Sequence, residues 1–199
     1  MIKIIIMGRI KYGIDLGTTN SAITKIEKGE SVIIKSDSQG DTTPSCVGYR
    51  KKGSVMSGVR AFNTLKADKL KALKSGKSSE SNFWVEFKRT MGSDKKYHSS
   101  ICDEDFRSEE LSSEVLKKLK SYLQDEVIKS AVITIPAMFN DNQKSATQKA
   151  AELAGISQAE LLQEPIAAAM AYGLDEKTKD GNLLIFDFGG GTFDVCLVK

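Results

Sequence analysis

One turn occurs twice in this chain. Ile14-Asp-Leu-Gly-Thr-Thr-Asn-Ser21 and Phe186-Asp-Phe-Gly-Gly-Gly-Thr-Phe193 share a plan. Each has a strand ending in an aspartate, an apolar residue, a glycine, small or hydroxyl residues, and a second strand. Asp15 and Asp187 stand 172 positions apart. A recurrence of this kind fits two related hairpins, one from each half of a duplicated fold.

The chemistry of the turns fits a phosphate site. Glycine lets the backbone approach a ligand closely, and successive N–H groups in a tight turn form a concavity for anions. The hydroxyls of Thr18, Thr19 and Thr192 add donors. Asp15 and Asp187 would repel a phosphate by themselves. With a cation between, they become favourable, and Mg²⁺ held through water suits carboxylates plus phosphates. Gly189, Gly190 and Gly191 weaken a strand unless close approach repays the loss. Either turn alone reads equally well as an ordinary hairpin. There is no Walker A loop: Gly48 to Gly53 has the spacing, but Ser54 stands where the lysine belongs.

Between the turns the pattern changes character. Residues 12–35 read as an antiparallel meander with a turn at Glu27-Lys-Gly-Glu30. Val47–Tyr49 and Ser54–Met56 flank another turn. Ala, Leu and Lys favour a helix over 61–74, and residues 75–80 read as a loop. Ser108 is expected to cap a helix with Leu111, Val115, Leu119 and Tyr122 on one stripe. Ala131–Ile135 reads as a buried strand. Asn140 with Gln143 forms a capping-box start for a helix to Ala154, stopped at Gly155. Pro165 suits the first turn of a helix ending at Gly173. Strands first, then strands alternating with helices, predict a mixed α/β fold.

Composition removes other classes. The 199 residues carry 3 cysteines, none in a C-x-x-C pair, and a single histidine, His98. That argues against a disulfide scaffold, structural zinc or a histidine-dependent triad, and for a reducing compartment. No apolar run approaches the roughly 20 residues of a membrane span, and the first residues read as a strand or lead-in, not a signal peptide. The net charge of +3 hides a segment, Arg50 to Lys96, with 13 basic and 4 acidic residues. We read this as a solvated insertion with few aromatics, not a nucleic-acid or membrane surface.

The motifs resemble those of the seventy-kilodalton heat-shock chaperones of the DnaK type, in the front part of their ATPase domain. Tyr12–Ser21 and Leu184–Val195 resemble the two phosphate signatures. Val132-Ile-Thr-Ile-Pro-Ala-Met-Phe-Asn140 and Glu164-Pro-Ile-Ala-Ala-Ala-Met-Ala-Tyr-Gly-Leu174 resemble two further motifs, in order and at proper spacing. Phe87–Ser93 and Leu111–Leu116 look closer to the specialised bacterial HscC-type branch.

The resemblance implies an actin-like, ribonuclease-H-like first lobe with a mixed sheet and flanking helices, plus the opening hairpin of a second lobe. The expected division is 1–45 with 108–180 as core subdomain, 46–107 as outer subdomain, and 181–199 as the hairpin. It implies ATP or ADP with Mg²⁺ as ligands. Asp15 and Asp187 would hold the metal through water. Gly17, Thr18, Thr19 and Asn20 would wrap the β-phosphate side, and Gly189, Gly190, Gly191 and Thr192 would lie near the γ-phosphate. Asp15, Glu164, Asp187 and Thr192 are the expected catalytic set, with Glu164 placing metal and attacking water. Pro136 would belong to a relay that reports the nucleotide state.

The implied protein is a cytoplasmic chaperone that couples Mg-ATP hydrolysis to protein folding. Its partners would be a second lobe, a substrate-binding domain, unfolded clients and a J-domain co-chaperone. Four departures qualify this. The chain stops near the middle of the family's ATPase domain, so truncation and impaired turnover are expected. Phe62 falls where we expect the phosphate-facing lysine, with Arg60 two positions away. Lys144 replaces the relay's arginine and loses its forked geometry. Glu160 reverses a charge at the co-chaperone dock. The alternative reading is a non-catalytic remnant or actin-like interaction module. An actin-fold sugar kinase is disfavoured by the motif from Glu164 to Leu174.

Overall fold

The computed structural model describes residues 10–76, 81–124, 126–172, 183–189 and 193–198. The expectations for residues 1–9, for 77–80 of the loop and at Gly173, Leu174, Gly190, Gly191 and Thr192 lie outside the described residues.

The organising element is a mixed sheet. Strands β1 (Tyr12–Asp15), β2 (Asn20–Glu27) and β3 (Glu30–Ile33) form the expected meander. A short strand β4 (Thr43–Pro44) pairs with the start of β2. Two later strands join β1 from the other side: β10 (Ser130–Ile135) pairs parallel with β1, and β11 (Gln158–Gln163) parallel with β10. The order is therefore β11-β10-β1-β2-β3. Parallel neighbours need a crossover, and a helix supplies it between β10 and β11.

A second sheet is made of β5 (Cys46–Lys51), β6 (Ser54–Ser57) and β7 (Phe83–Val85) in the order β6-β5-β7. Helix α1 (Val59–Ser75) covers it. Only the first half of α1 faces the sheet, through buried Ala61 and Leu65. Leu70 and Leu73 on its second half are exposed. A small hairpin, β8 (Tyr97–Ser99) with β9 (Glu104–Phe106), leads to the next helix.

Helices α2 (Ser108–Lys120) and α3 (Asp141–Leu153) pack on the main sheet. On α2 the stripe Leu111, Val115 and Leu119 is buried as expected, with Leu116 added. Tyr122 is half-buried, and its hydroxyl is bonded to the Thr43 hydroxyl at 2.9 Å. These side chains meet Ile14, Ile23, Ile128, Ile133, Ala150 and Ile156 in the main core. Cys46, Ala61, Leu65 and Phe83 form a separate outer core.

Two ends differ in their fit to the sequence reading. At α3 the reciprocal cap forms as expected: the Gln143 N–H donates to the Asn140 side chain, and the Gln143 side chain accepts from the Asn140 N–H, both at 3.0 Å. Gly155 beyond the far end takes φ +77°, which a Cβ would strain. At α2 the cap expected of Ser108 is not made. Arg107 holds that position, its N–H donating to Glu110 at 2.7 Å. Ser108 is the first helical residue, and its buried hydroxyl bonds Thr90 instead.

Helix α4 (Glu164–Ala171) begins with Glu164 and Pro165. The final hairpin, β12 (Leu183–Phe188) with β13 (Phe193–Val198), lies against α4.

Candidate functional site

Strand register builds the site. Ile14 lies opposite Ile133 in the parallel β1–β10 pair, so Asp15 and Thr134 come next, side by side. The Thr134 hydroxyl donates to an Asp15 carboxylate oxygen at 2.7 Å. Ile135 lies opposite Gln163 in the β10–β11 pair, so Glu164 follows at the same edge. Three parallel strands thus end together, and the crevice beyond their carboxyl ends is where open α/β sheets bind ligands.

A cleft of about 500 Å³ occupies that crevice. The first turn contributes Asp15, Gly17, Thr18, Thr19 and Asn20 to its wall. The second turn contributes Asp187 and Gly189, although 172 positions separate the two aspartates. Thr134, Glu164 and the alanine face of α4 complete it, together with Lys88. At Gly17 a Cβ would sit 2.0 Å from the Asn20 carbonyl oxygen. No other residue lets this turn close.

Lys88 arrives on a 3₁₀ turn, Phe87–Thr90. Phe87 is driven into the main core, which aims the next side chain at the cleft. The Thr90 hydroxyl bonds the Phe87 carbonyl, the Tyr97 hydroxyl and the Ser108 hydroxyl at 2.7–3.0 Å, tying the turn to β8 and α2. Lys88 Nζ lies 2.7 Å from Glu164 Oε1 and 5.7 Å from the centre of the Phe139 ring.

Burial pushes the Glu164 carboxyl above its ordinary range. Lys88 opposes that, while Asp15 and Asp187 push it further up. The cleft sets three acidic side chains, Asp15, Glu164 and Asp187, against one basic one, Lys88. A phosphate there calls for a further cation to offset the acidic excess. Among the described residues no three His, Cys, Asp or Glu side chains converge to grip a bare metal. The donor set therefore fits Mg²⁺ that keeps its waters and is shared with phosphate oxygens.

Lys88 is the residue the sequence reading missed. In the sequence the segment Phe87-Lys-Arg-Thr-Met-Gly-Ser93 carries only a family resemblance. Its usable signal was a lysine directly beside a large core anchor. The expectation that Phe62 stands in the phosphate-facing lysine's place is corrected. Phe62 packs against the outer core, with Lys66 Nζ 4.9 Å from its ring centre, and does not line the cleft.

Pro136 lines a shallower hollow beside the cleft, together with Thr18, Lys88, Arg89, Met138, Phe139, Gln143 and Asp194. Lys144 pairs with Asp141 at 3.3 Å on the surface. Glu160 is half-buried on β11 opposite Val132. His98 pairs with Asp105 at 3.0 Å, on the β8–β9 hairpin.

Comparison with known proteins supplies independent findings. The family model described as Hsp70 protein matches residues 11–199. The chain is 43% identical over 192 residues to the chaperone protein DnaK of Thermosipho africanus, covering 94% of this chain and 30% of that protein. It is 40% identical over 202 residues to the chaperone protein dnaK of Thalassiosira pseudonana, covering 94% and 33%. The DnaK of Mycoplasmopsis agalactiae is 36% identical over 190 residues, with 94% and 29% covered. The chain thus spans about a third of the length of these relatives. The matches carry no finer division into branches.

Proposed function

Because this chain belongs to the Hsp70 family, whose ATPase domain has the actin-like fold, we propose that its cleft binds the phosphates of ATP and ADP with Mg²⁺, as part of a chaperone ATPase. The observation that carries the reading is the convergence of Asp15, Asp187, Glu164 and Lys88 on one crevice beside the Gly17 turn.

Phosphoryl transfer asks mainly for positioning and charge stabilisation. Asp15, locked by Thr134, would hold the hydrated metal together with Asp187. Bound Mg²⁺ would supply charge neutralisation at the phosphate oxygens. Thr18, Thr19 and Asn20 would offer donors to the inner phosphates, with Gly17 allowing the turn to close beside them, and Gly189, Gly190, Gly191 and Thr192 would serve the outer one. Lys88 would face the transferred group. Glu164, held by Lys88, would orient the attacking water.

The division into a core subdomain (1–45, 108–180), an outer subdomain (46–107) and the hairpin of a second lobe (181–199) is part of this reading. The separate outer core around Cys46 and Phe83 supports it. Coupling to unfolded clients, with a J-domain co-chaperone altered at Glu160, is proposed for the whole protein. A cytoplasmic setting fits free Cys46, Cys102 and Cys196. No helix among the described residues is long and apolar enough to cross a membrane. The remnant alternative drew support from Phe62, and that support goes once Lys88 stands in the cleft.

The test is equilibrium binding of Mg-ADP and Mg-ATP to the chain and to Lys88→Met. The reading expects the variant to bind about tenfold more weakly, the worth of one charge-assisted contact. Equal binding would remove Lys88 from the site.

A further inference from the structure

The first phosphate turn is held from behind by two buried serines. Ser21, on β2, is 1% exposed, and Ser45, between β4 and β5, is 2% exposed. Ser45 Oγ lies 2.8 Å from the Gly17 carbonyl oxygen. A carbonyl only accepts, so the single Ser45 hydroxyl proton is committed there. The two serine hydroxyls lie 2.9 Å apart. With the Ser45 proton spent, Ser21 must donate in that contact. The Gly17 N–H donates to Ser21 Oγ at 3.2 Å, which closes the circuit. The order is Gly17 N–H to Ser21, Ser21 to Ser45, and Ser45 back to the Gly17 carbonyl. The Ser45 N–H also donates to the Thr19 carbonyl at 2.8 Å.

We propose that Ser21 and Ser45 are positioning residues for phosphate binding. The ring draws the Gly17 carbonyl inward, away from an incoming anion, as the Ser45 N–H does the Thr19 carbonyl, and together they fix the peptides between against the cleft. Carbonyl oxygens turned outward would repel phosphate in the place where N–H groups should attract it. The point is sharpened by Gly17 itself, because a glycine backbone has no side chain to hold its conformation. Ser45 also sits where the main sheet hands over to the outer sheet, so the turn's geometry depends on that junction. The inference rests on the reading of the cleft as a Mg-nucleotide phosphate site.

The experiment compares the full chain with Ser45→Ala, Ser21→Ala, the double variant and a control, Ser99→Ala. Ser99 is fully buried and hydrogen-bonded to Asn82 and the Cys102 N–H, in the β8–β9 region. Three readouts are taken: Mg-ADP affinity, the thermal midpoint, and hydrogen exchange of the Gly17 amide without nucleotide. Each ring variant is expected to lose about tenfold in affinity. The double variant should lose little more than either single one, because one missing member opens the ring. Gly17 exchange should quicken in both. Ser99→Ala should lower the midpoint and leave affinity unchanged.

Unchanged affinity in folded Ser45→Ala and Ser21→Ala would overturn the proposal, as would equal affinity losses in the ring variants and the control. Should the unaltered chain bind no nucleotide, the functional reading fails, and the amide decides the ring alone. Slow Gly17 exchange that Ser45→Ala quickens would keep the ring, and exchange indifferent to Ser45 would remove it.

Discussion

Lys88 and Glu164 form the most consequential pair in the molecule. Both are largely withdrawn from water, with side-chain exposures of 7% and 17%. Removing one partner of a buried pair strands the other charge. Lys88→Met is therefore expected to cost about 3 kcal/mol at neutral pH, read from denaturant unfolding. The pH dependence has a definite sign. Glu164 already titrates above its ordinary range, and Lys88 is the group that lowers it. Without Lys88 its pKa rises further, so the folded state takes up a proton more readily than the unfolded one. Stability then rises as pH falls through that window. The deficit of Lys88→Met should shrink as pH falls below neutral, and Lys88→Met with Glu164→Gln should show no such recovery. At this scale Asp15, Asp187 and the Gly17 turn, which line the cleft, could be picked out of the sequence because each motif is local. Lys88 could not. Its role is created by contacts across 76 positions of sequence, and only the burial of Phe87 reveals which way it points.

At the scale of elements, caps decided what could be read ahead. Asn140 and Gln143 form a reciprocal local pair, and such a pair is visible in sequence. Asn140→Ala should destabilise the protein by about 1 kcal/mol, seen as a lower denaturant midpoint. Ser108 carried the same local signal, yet a tertiary partner, Thr90, claimed its hydroxyl. Short strands such as β4, β7, β8 and β9 were also missed, since their pairing partners lie far along the chain. On α2 the buried Ser112 hydroxyl has no hydrogen-bond partner among the described residues. A buried polar group without a partner is a standing cost. Ser112→Ala is expected to raise stability by about 1 kcal/mol in the same unfolding measurement.

At the scale of the whole molecule, fold class was legible because the meander and the later strand–helix alternation leave different periodicities. The assembly of two distant turns into one cleft was only suggested by their likeness. The hairpin that brings Asp187 has a second property. Leu184, Phe186 and Phe188 face the side shared with Phe193, Val195 and Leu197, in register, and all six are 51–85% exposed. A contiguous apolar face of this kind invites association. Phe186→Ser with Val195→Ser should lower light scattering and apolar-dye binding. The unfolding midpoint should hardly move, since little buried surface is lost.

The central claim is that two turns at opposite ends of the chain make one Mg-dependent phosphate site. Calorimetric titration of the 199-residue chain with ADP, with and without Mg²⁺, tests it most directly, beside Asp15→Asn and Asp187→Asn. The account predicts binding that requires Mg²⁺ and is lost in both variants. Binding indifferent to Mg²⁺ or to either aspartate, or no heat from a folded sample, would contradict it.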